Sequence, residues 1–520
     1  MSGALVSIHD QFHLELKLTH PLEVMPRKGR LFEVWLYFPN SLGIDEPQFR
    51  KEDYYSDLTA YVRFQTPHMG LGALFGDVPN DGSGEPNVEL PRGPWSKLRL
   101  LSPFVWLHRC EAEILAGTDG GKALRELRLL GASFRSIQRD TTHFLVTGLR
   151  LAALAAGRAE HHVAATRFVN ETVAALTRYR ALATRLQAGL KASANPRADL
   201  HLALDAVDDF MSMHAIEAWF ALLTSAGNDP ECAAHLRETI HAETLYRTAN
   251  GLIGSPVDDA AGNEDYVNRV NQLKKWVMGV LHLRLTTNRG AERARDVAFS
   301  VAAAVAMTVA VGLQLVALWT VGTPKTPQVA GSTLFAFVAL SVGGYILKDG
   351  IKDRLKTWFQ ARIPQWLFDR RQDLCIPGSL TPFGAVEETV GRNNARDVPP
   401  GVQKLREEGE DPLAAQERSE EDVVHYRRRL HLDGARTQEQ APEMVALTEI
   451  LRLNTGRWVR RMDDPIRRLW RLGDDDKAHR VDGRKTYRVT LVMACEGADD
   501  SVHYEKRSIV LTRNGLLRVD

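Results

Sequence analysis

Cysteine is scarce in this chain, with four residues in 520. Cys110, Cys232, Cys375 and Cys495 lie far apart and form no Cys-x-x-Cys pair. A zinc site built from cysteine pairs is therefore excluded, because such a site needs closely spaced ligands. Scattered thiols in a chain of this length indicate free cysteines in a reducing compartment.

An excess of charge of one sign is also lacking. Lys and Arg total 66 and Asp and Glu total 65, which gives a formal net charge of +1. This balance argues against nucleic acid as a partner, since proteins that bind it over a large surface usually carry a basic excess. The N-terminus shows no basic segment followed by an apolar run. No signal peptide is therefore predicted.

Recognisable catalytic motifs are absent as well. The sequence holds no Gly-x-Ser-x-Gly, His-Glu-x-x-His or Gly-x-Gly-x-x-Gly pattern, and no cofactor is predicted. Glu238-Thr-Ile-His241 does place a carboxylate and an imidazole on one helix face, as a metal site in a helical bundle would. Such a site needs ligands from other helices, and the helical region holds no second Glu-x-x-His. An ordinary polar surface is therefore favoured over a metal-dependent enzyme.

Long uncharged hydrophobic runs, in contrast, occur twice. They cover Val297 to Val321 and Thr326 to Leu347. A helix of about 20 residues crosses the roughly 30 Å of hydrocarbon in a bilayer, so both runs are long enough. Gly322 to Gln328, which contains two prolines, suits a tight turn between them. The sequence thus predicts a two-helix transmembrane hairpin over 296–347, with a buried pair of helices as the alternative.

Positive charge beside these runs predicts their orientation. Nine Lys and Arg residues flank the hairpin, whereas the connecting turn holds only Lys325. The positive-inside rule then places both flanking regions and both termini in the cytoplasm. If the source is bacterial, the membrane is the inner one.

Small residues recur every four positions in both runs. They are Ala302, Ala306 and Ala310 in the first run, and Ala339 and Gly343 in the second. Small-xxx-small faces let helix backbones approach closely. They serve either packing within the hairpin or contact between chains in a homo-oligomer.

The remaining sequence divides by composition into regions on either side of the hairpin. They are a β-rich region over 1–94, a helical bundle over 95–290, an amphipathic juxtamembrane helix over 348–375, a polar linker over 376–422, and an α+β unit over 423–520. In the last unit, Ala441 to Arg461 looks helical, and Asn514-Gly515 predicts a hairpin turn in a terminal β-meander. The β-rich ends of the chain could combine into one sheet.

Arginines cluster after Leu451 together with Trp458 and Trp470. They are Arg452, Arg457, Arg460, Arg461, Arg467, Arg468 and Arg471. The interpretations are a solvated face paired with nearby aspartates, a patch that binds anionic lipid, or a site for nucleic acid or a nucleotide.

These observations predict an α+β membrane protein, with a mainly helical cytoplasmic bundle, a two-helix hairpin and small β units at both chain ends. The predicted function is a membrane-anchored scaffold or sensor without catalytic activity. Its expected partners are the lipid bilayer, a cytoplasmic protein and further copies of the chain. An oligomeric pore is the alternative, and a metal-dependent enzyme is a further one.

Overall fold

The structure is a computed structural model, and it is mixed, 53% helical and 28% strand, with large sheets. The prediction of a mainly helical protein with small β units is therefore wrong. The residues that the structure describes are 5–22, 29–39, 42, 50–66, 69–76, 102–119, 121–152, 158–193, 197–226, 229–288, 290–321, 335, 338–339, 342–343, 345–355, 357, 368–394, 398–408, 421–441, 444–474, 476–497 and 501–520.

The first part of the chain combines strands with short helices. Its elements are β1 (Leu5–Ile8), β2 (His13–Pro21), β3 (Arg30–Phe38), α1 (Lys51–Asp57), β4 (Leu58–Phe64) and α2 (Leu71–Phe75). Helices then dominate: α3 (Pro103–Arg109), α4 (Glu111–Ala116), α5 (Lys122–Ala152), α6 (Arg158–Ala192), α7 (Ala198–Ala226), α8 (Pro230–Ala249) and α9 (Glu264–Met278).

The second part of the chain returns to strands. Its elements are β5 (Arg284–Asn288), α10 (Gly290–Val321), β6 (Arg370–Cys375), β7 (Gly384–Asn394), α11 (Pro400–Glu407), β8 (Asp422–Leu432), α12 (Gly434–Gln440), β9 (Ala446–Asn454) and α13 (Gly456–Val459). The chain ends with β10 (Ile466–Leu472), β11 (Ala478–Arg484), β12 (Tyr487–Glu496), β13 (Val502–Thr512) and β14 (Gly515–Val519).

Two antiparallel sheets join the two ends of the chain. The larger has the order β14-β13-β12-β3-β8-β7-β6-β5, and the smaller has the order β1-β2-β9-β4. Within the larger sheet, Val34 of β3 lies opposite Met493 of β12 on one side and Tyr426 of β8 on the other. The β-rich ends of the chain therefore do combine, as hypothesised, but they do so in two sheets and not in one.

The sheets face each other across a shared hydrophobic core. Apolar residues alternate along β2 as Leu14, Leu16 and Leu18, and the same alternation puts Leu491 and Met493 of β12 into this core. A period of two sends alternate side chains to one face, so strands with this pattern bury that face together. Each fully buried aliphatic side chain contributes roughly 1.5–3 kcal/mol.

The outer strands of the two sheets also come together at both sides. On one side, the N–H of Leu283 donates to the carbonyl of Val62 at 2.8 Å, just before β5. On the other side, the N–H of Leu516 donates to the carbonyl of Gln11 at 2.8 Å. Gly515 has a φ of 127°, and a Cβ there would overlap the Gln11 carbonyl oxygen, so this junction requires glycine. These contacts cover edges that would otherwise offer unpaired backbone groups.

The helices α5 to α9 pack on one another and on the sheets. Tyr179 and Trp219 lie fully buried among the helices. A second core joins Val277 of α9 to Phe64 of β4 and Phe383 beside β7. The rings of Phe64 and Phe383 stack with their centres 5.7 Å apart. The helical layer and the sheets are thus held by one continuous set of apolar contacts.

The transmembrane hairpin predicted over 296–347 is wrong. Among the described residues, no helix combines the length and the apolarity that a membrane span requires. The first uncharged run belongs to the longer helix α10, which begins with a charged turn and whose Ala302, Ala306 and Ala310 are buried. The absence of charged residues was therefore not enough to identify a membrane span. The face of α10 that carries these alanines is buried within the protein.

Several predictions that depended on this hairpin are wrong with it. They are the membrane-anchored scaffold, the oligomeric pore, and the two-span topology with both termini cytoplasmic. The juxtamembrane helix predicted over 348–375 is helical in the described residues 345–355, whereas Arg370–Cys375 forms β6.

The regions predicted as linker and as helix also contain strands. Residues 376–422 include β7 and α11, because Val386 and Val390 are buried between neighbouring strands. The segment predicted as a helix from Ala441 to Arg461 instead contains the strand β9 and the short helix α13. That strand lies between β2 and β4 and is buried on both faces, so its sequence does not alternate strictly between apolar and polar residues.

Candidate functional site

The strands β10 and β11 form a separate two-stranded ribbon that is open to solvent. The ribbon pairs antiparallel from Ile466 opposite Arg484 to Leu472 opposite Ala478. Within the described part of the chain it joins neither large sheet. Every residue of its strands is exposed except Gly483, which is half-buried.

Local sequence fixes both ends of the ribbon. At the tip, the N–H of Gly473 donates to the carbonyl of Lys477 at 2.9 Å, and Asp476 takes a φ of 56°. Aspartate tolerates this left-handed conformation better than most residues, which suits a tight turn. At the base, the N–H of Lys485 donates to the carbonyl of Pro465 at 2.8 Å.

Each face of the ribbon mixes basic and apolar side chains. Directly paired residues share a face, so Arg468 lies beside Asp482, and Trp470 lies beside Arg480. The guanidinium of Arg480 lies 4.8 Å from the centre of the Trp470 ring, a cation–π contact. Leu469 and Val481 pair on the opposite face in the same way.

Positive charge outweighs negative charge on the strands. They carry five arginines and one aspartate, an excess of four positive charges with His479 neutral. Large apolar side chains stand between these charges, with Trp470 67%, Leu472 66% and Ile466 57% exposed. A two-stranded ribbon is marginally stable alone, so apolar groups this exposed mark a contact surface.

A hollow of about 630 Å³ opens at the base of the ribbon. Its charged lining comprises Arg460, Asp463, Asp464, Arg467, Lys485 and Arg513. The ammonium of Lys485 bonds the carboxylate of Asp463, which lowers the pKa of Asp463 and raises the pKa of Lys485. Asp464 pairs with Arg513 at 3.3 Å. Both aspartates therefore have a basic partner, and the hollow continues the basic surface of the ribbon.

The seven arginines predicted as one cluster do not stay together. Arg452 in β9 binds Glu15 at 2.7 Å, and Arg457 in α13 binds Asp53 at 2.8 Å and Asp57 at 2.7 Å. These two charges are neutralised within the fold. Arg460 lines the hollow. The ribbon itself holds Arg467, Arg468 and Arg471.

Arg461 of the predicted cluster lines a different cavity of about 80 Å³, beside Phe38, Tyr54 and Trp458. The rings of Phe38 and Trp458 meet edge to face at 4.8 Å. This cavity is small, and its lining combines these aromatic rings with charged side chains, among them Arg50 and Asp53.

Arg480 and Arg484 are the ribbon residues that the sequence analysis missed. They reach the site because β11 pairs with β10, and this register brings them beside Trp470 and Ile466. Gly473 and the aspartates after it were a possible signal for the hairpin turn, since Gly and Asp are common in turns.

The other predicted site residues lie away from the ribbon. Glu238 and His241 are exposed on α8. In the described part of the chain, no group of three or more His, Cys, Asp or Glu residues could hold a metal ion. Of the small residues predicted to pack between helices, Ala302 lies on the buried face of α10, whereas Ala339 and Gly343 are exposed.

A second charged cluster is enclosed between the two sheets. The Nε of Arg428 donates to Glu449 at 2.7 Å, and its Nη1 bonds Glu388. His20 lies 2.9 Å from the other oxygen of Glu449, and the hydroxyl of Tyr426 donates to Glu388 at 2.5 Å. Burial raises the pKa of Glu449, but Arg428 and His20 outweigh it and lower that pKa to about 2. Because the cluster is closed to solvent, its contacts stabilise the fold.

Comparison with known proteins does not assign a family. No family model, curated protein or solved structure matches this chain.

Proposed function

We propose that this chain is a binding protein whose β10–β11 ribbon holds an acidic, partly apolar segment of another protein. The observation that carries the proposal is the exposure of the ribbon, whose strands bear five arginines among large apolar side chains. Such a surface offers charge complementarity and apolar area together. Interfaces between proteins commonly enrich arginine and tryptophan in this way.

The magnitude expected of each contact is modest. An exposed ion pair contributes about 0.2–1 kcal/mol, so several arginines must act together. Burial of Trp470 and Leu472 adds roughly 25 cal/mol for each Å² of apolar surface covered. Charge also speeds encounter, because complementary potentials steer an acidic partner toward the ribbon.

A protein segment fits this surface better than a phosphate polymer does. The guanidinium of Arg480 already lies over the ring of Trp470, so this ring face is not open for stacking with a nucleic-acid base. Phosphate contacts would also leave the exposed leucines uncovered.

The proposal is tested by fluorescence anisotropy on the full chain. The probe is a labelled peptide of about ten residues that alternates glutamate with valine, compared with single-stranded DNA and with vesicles containing phosphatidylserine. The variant R467E/R468E/R471E is expected to weaken peptide binding at least tenfold, equal to about 1.4 kcal/mol.

A matched variant controls for the change of charge. Arg139, Arg167 and Arg185 are 59%, 79% and 49% exposed on α5 and α6, so R139E/R167E/R185E should leave the affinity unchanged. Equal loss in both variants, or no binding of the peptide by the wild type, overturns the proposal. Binding of DNA or vesicles in place of the peptide also overturns it, and assigns that other partner.

A further inference from the structure

We infer that the acidic segment binds as a third strand, added to the free edge of β10. This inference rests on the proposed function and specifies how the partner is held. Extended peptides often bind by β-strand addition, in which main-chain hydrogen bonds give affinity and alternate side chains give specificity.

The register of the ribbon identifies the backbone groups on that edge. Antiparallel pairs alternate between hydrogen-bonded and non-hydrogen-bonded types. Gly473 bonds Lys477 at one end and Lys485 bonds Pro465 at the other, so Leu469 between them also points its N–H and C=O toward β11. The backbone groups of Arg468 and Trp470 consequently point outward from β10.

Backbone hydrogen bonds connect the outer strands of the two large sheets. These sheets meet at both sides, through Val62 and Leu283 and through Gln11 and Leu516. Each strand of the ribbon, in contrast, pairs with one neighbour only among the described residues. An open edge with unpaired groups is a template for another strand.

Side-chain chemistry favours β10 over β11. β10 has three arginines and no acidic residue, whereas β11 carries Asp482 on its outer edge. β11 also contains Gly483, which offers no side chain to a neighbour. An acidic strand is therefore attracted along the whole of β10.

The alternation along β10 also specifies the partner. One face presents Arg467, Leu469 and Arg471, and the other presents Ile466, Arg468, Trp470 and Leu472. Since cross-strand neighbours on one face interact, the first face favours glutamate or aspartate. The second face favours apolar residues. The partner is accordingly an amphipathic strand with acidic residues at every second position.

Hydrogen–deuterium exchange on the full chain tests the geometry, with the same glutamate–valine peptide as probe. Addition to β10 should slow exchange at the outward amides of Arg468 and Trp470, within 466–472. Exchange at the outward amides of Arg480 and Asp482, within 478–484, should not change.

A proline variant gives an independent measurement. Proline lacks an N–H and is tolerated at an edge whose N–H faces solvent. R468P should therefore bind the peptide at least tenfold more weakly than R468A, which loses only the side chain. The pair D482P and D482A, at the opposite edge, should bind with equal affinity.

The outcomes separate this inference from the proposed function. Peptide binding without protection of 466–472, or equal affinities of R468P and R468A, overturns strand addition and leaves the ribbon as a side-chain binding surface. Protection of 478–484 instead overturns the choice of β10. Absence of peptide binding to the wild type overturns both proposals.

Discussion

Replacement of Arg428 by methionine should destabilise the sandwich by about 3–5 kcal/mol at pH 7, the cost typical of breaking a buried ion pair. Arg428 is 0% exposed at its side chain and binds Glu449 of the facing sheet and Glu388 of the neighbouring strand. Methionine would leave both carboxylates enclosed without their cation. Neither carboxylate could be hydrated in place, because both are 1% exposed as residues.

The pKa of Glu449 points in the same direction. It falls from the ordinary 4.5 to about 2, with Arg428 the main group that lowers it against burial. A depressed carboxyl pKa contributes stability that is present above pH 4.5 and is lost as the pH falls toward 2.

The pH dependence of the variant should have the opposite sign. Without Arg428, burial raises the pKa of the Glu449 carboxyl, so lowering the pH protonates this group within the folded state. The difference in stability between wild type and R428M should therefore shrink between pH 7 and about pH 4. This narrowing separates loss of charge compensation from loss of packing, which does not depend on pH.

Urea denaturation followed by tryptophan fluorescence measures this prediction, through midpoints compared at each pH. The control variant R428M/E388Q/E449Q removes all three charges and keeps acceptors for Tyr426 and His20. It should recover at least half of the loss at pH 7. The reasoning is refuted if R428M lies within about 1 kcal/mol of wild type at pH 7, or if its deficit is the same at both pH values.

Further substitutions test the junction of the sheets and the helical layer. G515A should lower the melting temperature, because strain at a positive φ costs about 1–3 kcal/mol and the added methyl group overlaps the Gln11 carbonyl. The control G434A should have little effect, because a Cβ at Gly434 would meet no atom within 4 Å. Equal melting temperatures would contradict this account of the junction. D209N should cost about 1–3 kcal/mol in urea, because Arg247, 2% exposed, loses the carboxylate it binds at 2.8 Å. An unchanged urea midpoint would show that the carbonyl contacts of Arg247 suffice.

Strands with a half-buried pattern could be predicted from sequence alone. Residues 12–18 and 31–38 alternate or are rich in aromatic and β-branched residues, and they form β2 and β3 with shifts of a few residues at the ends. The Asn514-Gly515 signal locates the turn between β13 and β14 to within one residue, since the two turn residues are Arg513 and Asn514. Local sequence was sufficient here because one face of each strand is buried and the turn needs particular residues.

Central strands could not be predicted in the same way. β9 is covered on both faces, and it carries Glu449 at a buried position because Arg428 lies opposite. A strand that is buried on both faces lacks the strict alternation of apolar and polar residues, so its sequence can resemble that of a helix. Only the partner strands, from distant parts of the chain, distinguish the two. The same lack of context misled the prediction of a span in α10.

The sequence predicts that arginines are concentrated after Leu451. It does not predict which of them share an exposed surface. Spacing alone could not tell that Arg452 is neutralised by Glu15, or that Arg480 joins Arg468 and Trp470 on one face. The near-zero net charge could not reveal this surface, because charges act over only about 8–10 Å at physiological salt. A partner at the ribbon therefore experiences the excess on β10 and β11, and the acidic residues elsewhere in the chain do not cancel it. The balance of 66 basic and 65 acidic residues consequently argues against a uniformly basic binding surface, and leaves a local one entirely compatible with the sequence.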